Sequence, residues 1–105
     1  MKVNVYKVEK SFNNLQWKRT SEVVTIGTIK EMDDYNTVKM KCAAAFDIHV
    51  STPSDELVLT RCGAKIDPSA FRNLGQFLGC LSAQQRPKAS FGVGIEVSCI
   101  QYCFR

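Results

Sequence analysis

Two cysteines lie four residues apart in the C-terminal stretch EVSCIQYCFR, and thiols so placed could bind a metal ion, form a disulfide or carry out redox chemistry. The apolar alternation through Phe91, Val93 and Ile95 predicts that this stretch is a strand. On a strand Cys99 and Cys103 are about 13 Å apart, at roughly 3.3 Å per residue, whereas a disulfide needs Cα atoms within about 7 Å. We therefore interpret both as buried structural thiols, since only a helical ending would bring them together.

The single histidine, His49, could act as the base for a nucleophilic cysteine such as Cys42. Apolar residues alternate with polar or small ones from residue 38 to residue 50, and this period of two predicts a half-buried strand. On that strand Cys42 points into the core and His49 points outward, so the two side chains cannot meet. A partner for His49 from another strand, such as Cys62, stays open.

Other catalytic motifs are absent from the sequence. It has no Gly-x-Ser-x-Gly elbow, no phosphate-binding glycine loop and no Cys-x-x-Cys pair. The glycines of SFGVGIE lie in an alternating segment that precedes no helix, and the adjacent acids Asp33 and Asp34 are typical of a turn. We therefore predict a non-enzymatic protein with no catalytic residues, no metal site, no cofactor and no small-molecule substrate.

The remaining patterns predict the elements that carry these residues. Segments rich in β-branched and aromatic residues, or alternating in polarity, predict strands. These strands are predicted over residues 3–12, 22–32, 38–50 and 57–66, and from residue 91 onward. Asp67 before Pro68 marks a helix start, and apolar residues then recur at helical spacing, which predicts one amphipathic helix over about 68–83. The predicted fold is α+β, an antiparallel sheet of about five strands with this helix inserted before the last strand.

Length and composition favour one small globular unit. At 105 residues the chain is long enough for one core, and we predict a single compact domain over 1–105. No apolar run approaches the roughly 20 residues that span a bilayer, and the N-terminus has no apolar signal segment. Five cysteines at irregular spacings indicate reduced thiols, so a cytoplasmic, reducing compartment is predicted.

The formal charge of +4 lies entirely in the second half of the chain, which favours association with anionic partners. Basic residues could neutralise phosphates of a nucleic acid or an anionic membrane surface, and an aromatic residue beside cations suits stacking on unpaired bases. The candidates are Trp17, Lys18 and Arg19 in a predicted loop, Lys39 and Lys41 on the predicted strand, and Arg86 and Lys88 beyond the helix. The alternative is that these are scattered solubilising charges, with Trp17 packed on the rim of the sheet.

Self-association is the second predicted property. The C-terminal strand becomes apolar on both faces near its end, and the predicted helix carries two glycines four residues apart. Both features are explained if copies of the chain meet there, although the glycines are also expected where a helix packs tightly on a sheet. The predicted oligomer interface consists of Gly75, Gly79, Ile100, Tyr102 and Phe104.

The stretch KIDPSAFRNLGQFLGCL, followed by RPKASFGVGIEVS, resembles the helix-then-strand portion of matrix proteins from negative-strand RNA viruses. The resemblance covers less than half of the chain, includes no fixed motif, and implies assembly on membrane and ribonucleoprotein. We therefore predict a small structural or binding protein, of the kind found among viral structural and accessory proteins. It is expected to form a homo-oligomer and to present a basic surface to an anionic partner. The alternatives are a single-stranded nucleic-acid-binding protein and an inhibitor that binds a host protein.

Overall fold

The computed structural model describes residues 2–10, 16–50, 55–81 and 90–96. The elements within these residues are, in chain order, β1 (Val3–Lys10), β2 (Trp17–Arg19), β3 (Val24–Ile26), α1 (Tyr35–Ala45), β4 (Glu56–Arg61), β5 (Ala64–Lys65), a 3₁₀ turn (Pro68–Ala70), α2 (Leu74–Gly79) and β6 (Ser90–Glu96). The α+β class is therefore confirmed. The predictions for Cys99 and Cys103 lie outside the described residues.

The sheet is mixed, which corrects the prediction of a purely antiparallel one. Its strand order is β2-β1-β6-β4-β5, and β3 also pairs with β1. The pair β1 and β6 is parallel, with Val5 opposite Phe91, whereas the other pairs are antiparallel. Apolar alternation reports which side chains are buried and carries no information about strand direction, so the sequence pattern could not reveal this pair.

A bulge divides the partner strand of β1 into β2 and β3. Arg19 lies opposite Val8 and Val24 lies opposite Val5, so five steps along one strand cover three along the other. At this break the Ser21 hydroxyl replaces a backbone carbonyl and accepts the N–H of Lys7 at 2.8 Å. The predicted strand over 22–32 is therefore only three residues long, and the predicted loop around Trp17 contains β2.

The strand predicted over 38–50 is wrong, because residues 35–45 form α1. Asp34 caps the helix, and its carboxylate accepts the N–H of Thr37 at 2.9 Å. The buried residues of α1 follow helical spacing: Tyr35, Val38, Cys42 and Ala43. Val38 and Cys42 satisfy a helix and a strand equally, since four residues is both a helical step and an even number.

The predicted helix over 68–83 is replaced by two shorter pieces. Asp67 accepts the N–H of Ser69 at 3.0 Å and starts the 3₁₀ turn, as expected for this cap. Asn73 then restarts the chain as α2 by accepting the N–H of Gln76 at 2.7 Å. Two capping residues in one apolar stretch therefore produce two helical segments instead of one.

Two apolar clusters lie on opposite faces of the sheet. Both helices pack on one face, where Val5, Leu59 and Phe91 belong to the main core. The other face carries a second, inner cluster formed by Tyr6, Val8, Trp17 and Val58. The sheet curls around this inner cluster, and the N–H of Trp17 donates to the carbonyl of Gly63 in the β4–β5 turn at 3.3 Å.

Candidate interaction surfaces

The basic and aromatic residues of β2 are divided between the surface and the inner cluster. Trp17 is only 7% exposed and packs with Val8 and Val58, so its ring is not presented for stacking on bases. Lys18 is exposed, whereas the Arg19 guanidinium lies 5.8 Å from the centre of the Tyr6 ring. Of the three residues predicted here to bind anions, only the two cations are therefore exposed.

The two lysines of α1 have partners within the protein. The ammonium of Lys39 lies 5.2 Å from the centre of the Tyr35 ring. The Lys41 ammonium lies 2.8 Å from a carboxylate oxygen of Asp33 and donates to the carbonyl of Thr28 at 2.9 Å. The hydrogen bond from Lys41 is the main reason that the pKa of Asp33 is lowered. Lys41 therefore ties the segment before α1 to the helix.

The predicted anion-binding residues do not share one element. β2 pairs with β1 near Lys10, whereas α1 packs against β3, β4 and β6. Arg19, Lys39 and Lys41 contact their own neighbours, Lys18 is exposed, and Arg86 and Lys88 lie outside the described residues. Their joint role in anion binding stays a prediction.

An ion cluster that sequence reasoning missed lies across the strand ends. Glu96 contacts Lys65 at 2.7 Å and Lys10 at 3.0 Å. The hydrogen bond from Lys65, followed by that from Lys10, lowers the pKa of Glu96, and the same contact raises the pKa of Lys65. These residues come from β1, β5 and β6, so no local spacing could reveal that they meet.

No hydrogen bond joins a described cysteine to His49. Burial raises the pKa of the fully buried Cys42 thiol to about 12, which suppresses the nucleophilic thiolate. Cys62 and Cys80 are exposed. The Nε2 atom of His49 lies 2.8 Å from a carboxylate oxygen of Asp47. In the described part of the chain, no three side chains that could bind a metal ion lie together.

The two glycines of the predicted oligomer interface have different surroundings. The N–H of Gly75 donates to the carbonyl of Glu31 at 2.9 Å, which joins α2 to the segment before α1. Gly79 is exposed, and a methyl group added there would have nothing within 4 Å. Ile100, Tyr102 and Phe104 lie outside the described residues. The predicted interface therefore stays a prediction.

The outer edge of β3 is open along the described residues. The backbone carbonyl of Lys7 accepts the N–H of Thr20 at 2.9 Å. Since backbone groups alternate in direction along a strand, the odd-numbered residues of β1 direct theirs toward β2 and β3. Val24 and Ile26 lie opposite such residues, whereas Thr25 lies opposite Asn4. The backbone N–H and C=O of Thr25 therefore point away from β1, and no other described strand pairs with them.

Exposed valines accompany this open edge. Val23 is 41% exposed and Val24 is 40% exposed, which makes them the only adjacent pair of large exposed hydrophobic residues in the described part of the chain. The segment VVTIGT, residues 23–28, contains no charged residue and no proline. Charged residues and prolines usually protect an edge strand from pairing with another chain, so this edge lacks that protection.

Two further observations bear on function. No helix in the described ranges is long and apolar enough to cross a membrane. Comparisons with protein-family models, with curated proteins and with solved structures found no match to this chain. The surface of the molecule is therefore the basis for a functional proposal.

Proposed function

We propose that this is a small non-enzymatic protein that associates with copies of itself. The observation that carries the proposal is the open edge of β3, where the backbone of Thr25 faces outward next to the exposed Val23 and Val24. Unpaired backbone groups on an edge strand can bond to an identical strand without any special side chain. A second copy supplies such a strand automatically, so the proposal needs no unidentified partner.

The expected association is reversible and depends on concentration. Stable interfaces bury roughly 1,200–2,000 Å² in total, and a strand of three residues supplies only part of that area. Dispersed copies should therefore dominate in dilute solution and oligomers at high protein concentration.

Light scattering across a concentration series tests this proposal. We expect the weight-average mass to rise from that of one 11.8 kDa chain toward a multiple of it. A mass that stays at one chain up to about millimolar concentration, where even an association of only about 4 kcal/mol would be visible, refutes self-association.

Binding to a single-stranded nucleic acid is the second candidate. It is favoured by Lys7 and Lys18, which are exposed on the same face of adjacent strands and have no ion pair among the described residues. We expect the affinity for an oligonucleotide to fall steeply as salt rises, because phosphate binding releases counterions. Replacing Lys7 and Lys18 by glutamine should weaken binding more than the control Lys39→Gln, whose ammonium already faces Tyr35. An affinity that is independent of salt excludes this candidate.

A further inference from the structure

We infer that two copies pair through β3 about a two-fold axis at Thr25, which joins their sheets into one. This inference rests on the proposed self-association and specifies its surface. The backbone of Thr25 faces outward, so in an antiparallel pair each Thr25 can donate its N–H to the other and accept in return. Such an interface is isologous, which is the commonest arrangement in homodimers.

The side chains of β3 fit this register. With Thr25 opposite its own copy, Val24 of one chain lies opposite Ile26 of the other, on both sides of the axis. Ile26 already packs against the main core, and Val24 lies on the same, helix-bearing face of the sheet. The Val24 side chain of each copy therefore becomes covered in the dimer. Val23 lies opposite Gly27, where an added methyl group would have nothing within 4 Å in the single copy.

A register shifted by one residue and an axis at Val24 both fit less well. A shift by one residue would direct the outward backbone of Thr25 at groups that bond to β1 in the other copy. Moving the axis to Val24 would place the Glu22 carboxylate opposite Ile26. The axis at Thr25 places Glu22 opposite Thr28 instead, so no charged residue opposes an apolar one.

Cysteine cross-linking tests the register directly. Opposed residues of a hydrogen-bonded antiparallel pair have Cα atoms about 5.5 Å apart, within the limit of about 7 Å for a disulfide. The variants would be made in a chain whose Cys62, Cys80, Cys99 and Cys103 are replaced by serine. Thr25→Cys should then give a covalent dimer under mild oxidation. Val23→Cys is a matched control, because its two copies would lie about 13 Å apart, whereas Val23→Cys combined with Gly27→Cys should link again.

A proline variant tests the hydrogen bonds without a cross-link. Thr25→Pro removes an N–H that does not bond to β1, so the melting temperature at low concentration should change little. The dimer dissociation constant should rise at least tenfold, whereas the control Thr25→Val should retain the wild-type constant.

The outcomes separate this inference from the proposed function. If the wild-type chain stays monomeric, both fail. If it forms oligomers but Thr25→Cys links no better than Val23→Cys, the β3 interface is wrong while self-association stands. Equal dissociation constants for Thr25→Pro and Thr25→Val would overturn the β3 interface in the same way.

Discussion

Replacing Gly94 by alanine should destabilise the fold strongly. A Cβ built at this position in β6 would lie 2.4 Å from the backbone oxygen of Val8 and 3.3 Å from the Trp17 ring. Overpacking of a tight core typically costs 1–3 kcal/mol, roughly, and a backbone oxygen cannot rotate away as a side chain can. We therefore take the upper end, about 3 kcal/mol; alanine recovers about 0.5–1 kcal/mol over glycine within a strand, which leaves an expected net loss of about 2 kcal/mol.

Urea unfolding followed by circular dichroism measures this loss as a lower midpoint at an unchanged slope. Gly79→Ala is the matched control, because a Cβ at that exposed helical position meets nothing within 4 Å. It should be neutral or stabilise by up to about 1 kcal/mol. Equal midpoints for Gly94→Ala and the wild-type chain would refute the close approach of β6 to the backbone of β1.

Gly92 offers a second control, because the obstacles there are side chains. Its Cβ would lie 2.3 Å from the Thr60 hydroxyl oxygen and 2.5 Å from a methyl carbon of Val8. Thr60→Ala should therefore recover part of the stability lost in Gly92→Ala, with a coupling free energy of about 0.5–3 kcal/mol in a double-mutant cycle. It should recover none of the loss in Gly94→Ala. Identical rescue of both variants would show that the obstacle at Gly94 is not the Val8 backbone.

The remaining predictions concern four side chains. Thr60→Val should stabilise by about 1 kcal/mol in urea unfolding, because the fully buried Thr60 hydroxyl has no hydrogen-bond partner among the described residues. Cys62→Asn should raise the free energy of urea unfolding by about 1 kcal/mol, because Cys62 has a left-handed φ of 56° and precedes Gly63 at 83°, and such a turn prefers Asn-Gly. Peptide mapping after brief alkylation at pH 8 should find Cys42 unmodified while Cys62 is labelled, and equal labelling would contradict its burial. Because its pKa is lowered in the folded state, Glu96 contributes stability above its unfolded pKa that is lost as the pH falls through the folded pKa, so Glu96→Gln should flatten the acid limb of stability against pH.

The strands that can be predicted from the sequence are those whose own residues alternate clearly in polarity. The prediction of β1 starts at the observed residue, and β6 contains the alternation seen in SFGVGIE. The single strand predicted over 57–66 is wrong, because the left-handed Cys62 and Gly63 turn the chain back and divide it into the antiparallel pair β4 and β5. The helix that was missed shows where this reasoning fails. Met40 is 65% exposed although it has the parity assigned to the core, and the run of alanines at 43–45 has high helix propensity. Asp34 is the usable signal for this helix, because a residue type that is typical of turns is also a typical helix N-cap.

The site residues were less predictable, because they depend on which strands become neighbours. Lys10, Lys65 and Glu96 meet only because β6 lies between β1 and β4, with β5 beyond. Trp17 illustrates the same limit, since a flanking pair of cations indicated a surface aromatic while the curl of the sheet buries it. Residue types define the available chemistry, and strand order decides which of those residues meet.

The inner cluster and the open edge have one structural cause. The bulge between β2 and β3 lets β2 turn toward the β4–β5 hairpin, where Trp17 bonds to Gly63, while β3 continues along the first half of β1. The same break therefore brings β2 to the β4–β5 turn and leaves the outer side of β3 without a partner among the described strands. Gly92 and Gly94 stabilise the part around β2 by admitting Val8 and Trp17, and neither glycine lies on β3. Substitutions at the two glycines should thus change the free energy of unfolding, whereas substitutions of outward groups on β3 should change association, and this separation makes the two properties independently testable.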